Sequence, residues 1–370
     1  MKKLLFLLCI VSIEACSIFQ GQDDQYEFSW DMAVENHTGI PKNLYTIDGK
    51  QRGMSVFNWR DSLDQSLNQL IKNNVEWVAI IPFYFQENDR TREMRIPEMT
   101  GKWDRRDSSY MNVINNIHNR GLHVMLKPHL WMRDGWRSDI KLESDDDWDM
   151  WFESYRKNLI HHAMLAETLN IELLCIGAEF RSSILKQPDK WEGLIKEIKS
   201  IYSGKLTYAA NWDAEYSEVK FWDKMDYIGI QAYFPLTKNE YPTLKEIRSG
   251  WKRHIKMLED LSGKYNKPIL FSEIGYRSDN VATIEPWVWG SALNNDTLVV
   301  ASNMTQNLAY EALFQELWNK KWFAGMYFWQ WHNDTERRAR YGERDFTPRF
   351  KPAENTLAKW YGKEDHSSRE

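Results

Sequence analysis

Eight short apolar runs, each followed by a segment of helical period, recur between residues 53 and 331 of this chain. They are Gly53 to Trp59, Trp77 to Phe85, His123 to Trp131, Ile171 to Phe180, Lys205 to Trp212, Tyr227 to Pro235, Pro268 to Tyr276 and Phe323 to Trp331. Between them apolar residues fall on single helical faces: Leu63, Leu67, Leu70 and Ile71, then Val113, Ile114 and Ile117 before Gly121, then Trp191, Leu194, Ile195 and Ile198 before Gly204. Ser62 with Gln65 makes a capping-box pattern at the first of these helices. A repeating strand-then-helix order predicts a parallel sheet, because parallel neighbours need a crossover and a helix supplies it. Eight repeats let the sheet close, so the expected fold class is α/β, a (β/α)8 TIM barrel. The rival, an open doubly wound sheet, would carry a glycine-rich phosphate loop after an early strand, and neither GxGxxG nor a Walker pattern is present.

One barrel over residues 51–362 accounts for most of the 370 residues, since α/β barrels routinely exceed the usual domain size. Ahead of it, Lys2 and Lys3 precede an apolar run from Leu4 to Ile13 that is too short to span a bilayer and has the layout of a secretory signal. Residues 1–15 are therefore expected to be removed on export. Ile13 to Cys16 (IEAC) resembles the lipobox of bacterial lipoproteins, which makes Cys16 the expected lipidation site; an ordinary cleaved signal with an incidental Cys is the alternative. Residues 16–50 read as a lipoprotein tether and entry segment, and residues 363–370 as a polar tail. With Cys16 acylated, Cys175 is the one thiol left in the mature chain, so its stability rests on the core and not on disulfides.

Charge narrows the partners. A formal net charge of −5, from 48 basic and 53 acidic residues, offers no positive excess with which to neutralise phosphates, so nucleic acid is not an expected partner. Membrane contact is expected through the lipid anchor only. The chain carries 19 Trp, 17 Tyr and 16 Phe, and indoles stand at the ends of strand-like runs, where flat apolar faces beside a polar cleft suit a sugar ring.

Glu179 and Glu273 end the fourth and seventh runs. All strands of a barrel aim their C-terminal ends at one face, where a carboxylate reads as catalytic before it reads as structural. Strand alternation places Cys175, Gly177 and Glu179 on one face, with Leu174 and Ile176 turned to the helices. The same count aligns Ile269, Phe271 and Glu273; Lys127, His129 and Trp131; Gln231 and Tyr233; and Tyr327, Trp329 and Trp331. A bland reading pairs the two glutamates with Lys127 or Arg181. The catalytic reading is glycosidic bond cleavage, which needs one carboxyl protonated for the leaving oxygen and one ionised at the anomeric carbon. Glu179, in an apolar strand, is expected to keep its proton, and Glu273 to be held ionised by the Tyr233 phenol.

Among supporting residues, Trp331 is expected to floor the cleaved ring, and Asn211 and Asp213, on the loop after the fifth run, are candidates for binding. Lys127 and His129 are placed either on sugar hydroxyls or in a network around the carboxylates. Trp59, Trp131, Trp136 and Trp212 are candidates for more distant subsites, and Trp287 and Trp289 for a wall on a long loop. His161 and His162 lie in a helical stretch without metal-spaced partners, so neither a metal nor another cofactor is expected. Asp145, Asp146 and Asp147 read as a helix start.

These residues also carry a family resemblance. Cys175 to Glu179 (CIGAE), Phe271 to Tyr276 (FSEIGY), Lys127 to His129 (KPH), Ala210 to Asp213 (ANWD) and Asp226 to Tyr233 (DYIGIQAY) resemble motifs of glycoside hydrolase family 113, over roughly residues 50–361. That family consists of retaining β-mannanases of clan A. The resemblance implies a (β/α)8 fold, Glu179 as acid/base, Glu273 as nucleophile, and a mannan, glucomannan or mannooligosaccharide substrate. Many clan A families have Asn just before the acid/base, where this chain has Ala178; the usual contact to the sugar 2-hydroxyl then falls to Asn211 or His129.

Overall fold

The computed structural model describes residues 36–57, 63–95, 102–293, 296–332 and 344–364. The segment read as an export signal, Cys16, Trp59 and the expected Ser62 cap lie outside the described residues. Among the described residues are ten strands: β1 (Gln51–Phe57), β2 (Trp77–Ile80), β3 (Phe83–Gln86), β4 (His123–Leu126), β5 (His129–Met132), β6 (Leu173–Ala178), β7 (Lys205–Asn211), β8 (Tyr227–Gln231), β9 (Ile269–Ile274) and β10 (Phe323–His332). All except β3 and β5 form one closed barrel, parallel throughout, in which β10 returns to β1. Each of the eight expected runs supplies one barrel strand.

The second and third runs are longer than the barrel is tall, and each is broken by a proline. Beyond Pro82 and Pro128 they continue as β3 and β5, a separate parallel pair. The ladder between them is continuous, with the Lys127 N–H donating to the Ile80 carbonyl at 2.9 Å and the His129 N–H to the Pro82 carbonyl at 2.8 Å. Proline has no N–H to give a central ladder, so the strands part from the barrel there. The result is a raised rim that carries His129 and Trp131.

Inside the barrel, Trp77, Ala79, Met125, Leu173, Leu270, Ala324 and Tyr327 fill the space as one buried layer. Gly53 faces this layer, and a Cβ there would lie 2.4 Å from the Tyr327 ring. Outside run the helices α1 (Tyr45–Asp48), α2 (Leu63–Lys72), α3 (Lys102–His118), α4 (Asp145–Thr168), α5 (Arg181–Lys186), α6 (Pro188–Ile201), α7 (Glu215–Glu218), α8 (Leu244–Tyr265), α9 (Asn303–Leu317) and α10 (Pro352–Tyr361). The expected stripes on α2, α3 and α6 are buried against the sheet, Leu63 only in part. Helix α4 starts where the acidic run predicts: Ser144 caps the Asp147 N–H at 3.1 Å, and three carboxylates stand in the positive first turn. At the opposite end of the barrel, the Glu76 carboxylate accepts from the backbone of Leu44 at 2.6 Å and Tyr45 at 2.8 Å. The last part of the expected entry segment is thus bonded to the barrel.

Counting by twos fails at three strand ends, each time at an irregularity in strand register. Between Cys175 and Ala178 the β6–β7 pairing slips, so Gly177 turns to the helices, where an added Cβ would meet Trp191 and Tyr208 at 3.0 Å. Ala178 packs instead with Cys175 and Ala209. On β9, Ile269 and Phe271 belong to the outer core, Phe271 lying 5.9 Å from Trp251 of α8, while Leu270 faces inward. A slip between Phe271 and Glu273 then returns Glu273 to the barrel mouth. On β10 the pairing with β1 slips between Phe328 and Trp331. A bulge adds a residue and reverses the facing of the side chains beyond it, so both glutamates reach the axis by routes that alternation alone does not describe.

Candidate active site

A cavity of about 800 Å³ opens at the C-terminal ends of the strands, and both Glu179 and Glu273 line it. That size is ordinary for a pocket enclosing a small-molecule ligand. Its walls combine the two carboxylates with His129, Asn211, Asp213, Gln231 and Tyr233 and with indoles from several loops.

Glu273 sits in a cage built by strands. The Tyr233 hydroxyl donates to Oε1 at 2.7 Å, and the Lys127 ammonium donates to Oε2 at 2.8 Å. Lys127 also donates to Gln231 Oε1 at 3.0 Å and to the Ser272 carbonyl at 3.1 Å, and its side chain has no solvent exposure. Its three hydrogens are all engaged, so Lys127 braces Glu273 and does not face the cavity as a sugar ligand. Charge-assisted bonds of this kind are the strong ones, and they hold the carboxylate in one orientation. Burial, then the adjacent Glu273 charge, pushes the Tyr233 phenol well above its ordinary pKa, so it remains a donor.

His129 completes this side. Its Nε2 lies 3.9 Å from Glu273 Oε2 and has no hydrogen-bond partner among the described residues. Burial first, then the charges of Lys127 and Arg137, holds its pKa well below the ordinary imidazole value, so the ring is neutral. The ring lies parallel to Trp329, with centroids 6.4 Å apart. A neutral, buried imidazole nitrogen without a partner is an open hydrogen-bonding position beside Glu273.

Glu179 is held differently. It follows the end of β6 in the left-handed region, at φ 56°, which is uncommon outside glycine and belongs to sites that the surroundings over-determine. Those surroundings are specific: the Glu179 N–H donates to the Ala209 carbonyl at 2.9 Å, and the Phe180 N–H donates to the Tyr208 hydroxyl at 2.6 Å. The carboxylate accepts from Asn211 Nδ2 at 2.6 Å on Oε1 and pairs with Arg137 on Oε2. Arg137 also donates Nε to the Ala178 carbonyl at 3.2 Å. The apolar surroundings expected for Glu179 are therefore absent, and the expected ion partner is another residue. Arg181 pairs with Glu218 instead. Arg137 was not anticipated, because it stands in the loop after β5 and reaches Glu179 only through the course of the folded chain.

The aromatic walls match part of the expectation. Trp131 and Trp136 are 49% and 43% exposed and line the cavity, as do Trp212, Trp287, Trp289 and Trp329. Trp212 and Trp287 stack at 4.7 Å with planes 26° apart. Trp331 is a correction: it is fully buried in the outer core, with the Arg349 guanidinium 5.6 Å from its ring. The register slip on β10 turns it away from the mouth, and Trp329 presents the indole there. Elsewhere, His161 pairs with Asp107 and His162 contacts the Tyr84 hydroxyl. Among the described residues no group of three His, Cys, Asp or Glu side chains is placed to hold a metal ion.

The family model of Glycoside Hydrolase Family 113 matches residues 53–350. No curated protein matches the chain. Among solved structures, a family 113 β-1,4-mannanase complex is 25% identical, with 84% of this chain and 98% of that one covered at a TM-score of 0.71. The family 113 β-mannanase AaManA from Alicyclobacillus acidocaldarius, in complex with ManMIm, is also 25% identical, with 85% and 97% covered at 0.72. A β-glucuronidase from Ruminococcus gnavus shares the fold alone, at 10% identity and 0.53, with 49% of its chain covered. With the family model spanning the barrel and both carboxylates in one cavity, this chain belongs to glycoside hydrolase family 113.

Proposed function

We propose that the protein hydrolyses β-1,4-mannosidic bonds in mannan, glucomannan or mannooligosaccharides by retaining double displacement, with Glu273 as nucleophile and Glu179 as acid/base. The observation that carries this reading is the pairing of two unlike carboxylates in one indole-walled cavity, in a chain similar over nearly their whole length to solved β-mannanases. Glu273 attacks the anomeric carbon while a protonated Glu179 gives its proton to the leaving oxygen; Glu179 then takes a proton from the water that releases the sugar. Tyr233 and Lys127 keep the Glu273 charge aimed at the anomeric carbon. Trp329 supplies the apolar face beneath the ring, and His129 Nε2 and Asn211 are the donors or acceptors nearest its hydroxyls.

Product analysis on mannohexaose and cellohexaose tests the substrate, because the two differ at C2. We expect cleavage of the mannan oligomer and little of the glucan oligomer. The first product seen by NMR should be the β-anomer; an α-anomer would remove the covalent step. The pattern of lengths released also separates endo from exo action.

The same reading includes export as a lipoprotein, supported by Lys2, Lys3, the Leu4 to Ile13 run and Cys16. Labelled palmitate should enter the native chain and not a Cys16→Ser variant, which should leave the membrane fraction.

A further inference from the structure

One buried carboxylate behind the site has no place in the reaction just described. Glu215, at the start of α7, has no solvent exposure. Its Oε1 accepts from the Tyr208 hydroxyl at 2.6 Å, and its Oε2 accepts from the Asn211 N–H at 2.7 Å. Tyr208 in turn accepts from the Phe180 N–H, the peptide next to Glu179, while Asn211 donates its side-chain amide to Glu179 itself. Two strand ends that meet the Glu179 carboxyl, one carrying it and one bonding to it, are thus joined through a single buried carboxylate.

We propose that Glu215 is a positioning residue for the acid/base: by tying the backbone at Asn211 to the backbone at Phe180 through Tyr208, it fixes where Glu179 presents its proton. The inference rests on the role given to Glu179 above. The hydrogens balance only when Glu215 is ionised: Phe180 donates to Tyr208, Tyr208 donates to Oε1, and Asn211 donates to Oε2, with none left over. A proton on Glu215 adds one hydrogen that none of these bonds accommodates, and it weakens the carboxyl as the acceptor that ties Tyr208 to Asn211. Burial pushes the Glu215 carboxyl up to about 7, against the hydrogen bonds from Tyr208 and Asn211, with the Glu179 charge adding to the rise and Arg137 opposing it. The charged and titratable groups around it are Tyr208 on β7, Glu179 at the end of β6, Arg181 on α5 and Arg137 in the loop after β5, with Asp213 and Glu218 on its own segment. The brace is therefore complete above neutrality and loosens as the pH falls through that value.

The test compares two substrates in the whole enzyme. The sugar released from a mannooligosaccharide is a poor leaving group that must take the proton of Glu179 and depart as an alcohol; a dinitrophenyl β-mannoside releases a stable phenolate and needs no proton. Glu215→Gln should lower kcat/KM roughly tenfold on the oligosaccharide, as expected for one stranded buried donor, and far less on the aryl glycoside. On the oligosaccharide, wild-type kcat/KM should show an acid-side ionisation near pH 7 that the variant lacks. Tyr208→Phe should give a smaller loss of the same selectivity, and the double variant no more than Glu215→Gln alone, because both act along one path. Equal losses on both substrates, additive losses, or an unchanged pH profile would overturn the proposal. A wild-type enzyme that turns over neither substrate would instead overturn the hydrolase reading.

Discussion

The two carboxylates share a cavity but not a mode of support. Glu273 is gripped by residues next to strand ends, Lys127 just after β4 and Tyr233 just beyond β8, and Lys127 is itself held by Gln231 at the end of β8 and the Ser272 carbonyl on β9. Glu179 is held by one buried amide, Asn211 at the last position of β7, and by one partly exposed cation, Arg137 from the short 3-10 turn after β5. Lys127 has no exposure, whereas the Arg137 side chain is 21% exposed. The difference suits the chemistry. A nucleophile keeps one charge state and one aim until it reacts, so a rigid, dry cage serves it. An acid/base must lose a proton and regain one in every turnover, so partners that can adjust serve it better.

Deleting the carboxylates tests this contrast most directly. Glu273→Ala should abolish turnover on every mannoside, by roughly 10⁴-fold or more in kcat, because no other group can form the glycosyl intermediate. Glu179→Ala should cost about 10²- to 10⁴-fold on oligosaccharides and much less in kcat/KM on a dinitrophenyl glycoside. Similar losses for the two variants on the activated substrate would break the assignment of roles.

Removing the partners gives the next largest effect. Lys127→Met strands a buried carboxylate and should destabilise the fold by about 3–5 kcal/mol, read as a lower urea midpoint. Arg137→Met removes a cation that is itself 21% exposed and leaves Asn211 still donating to Glu179, so its stability cost should be the smaller of the two. If the two variants unfolded alike, the contrast between a dry cage and a wetter arm would fail.

The smallest effect is on pH-dependent stability. The Glu215 pKa in the folded chain, about 7, lies above its unfolded value of 4.5. The folded state therefore binds the extra proton, and stability falls as pH rises from about 4.5 to 7, by a few kcal/mol at most. Glu215→Gln removes this contribution. The thermal midpoint of the wild type should drop relative to the variant between pH 5 and 7.5, and parallel curves would show that Glu215 titrates alike in both states.

Local pattern was enough for much of this molecule. The eight runs, the stripes on α2, α3 and α6 and the acidic start of α4 depend on spacing within one segment, and each stands where that spacing puts it. Glu179, Glu273 and Tyr233 were legible because barrel closure sends every strand end to one face, whatever the details of pairing. Trp329 in place of Trp331, the facing of Gly177 and Phe271, and the partner of Glu179 were not legible.

By itself, then, the sequence determined a closed β/α barrel with two glutamates and a ring of indoles at its mouth, because periodicity and strand count are properties of the chain alone. Only the tertiary structure decided which way individual side chains turn near the strand ends. Register slips on β6, β9 and β10 arise from pairing with neighbouring strands, and one extra residue reverses every side chain after it. Arg137, Lys127 and Glu215 gained their roles the same way: their partners are distant strands and loops, and no spacing along the chain records such a meeting.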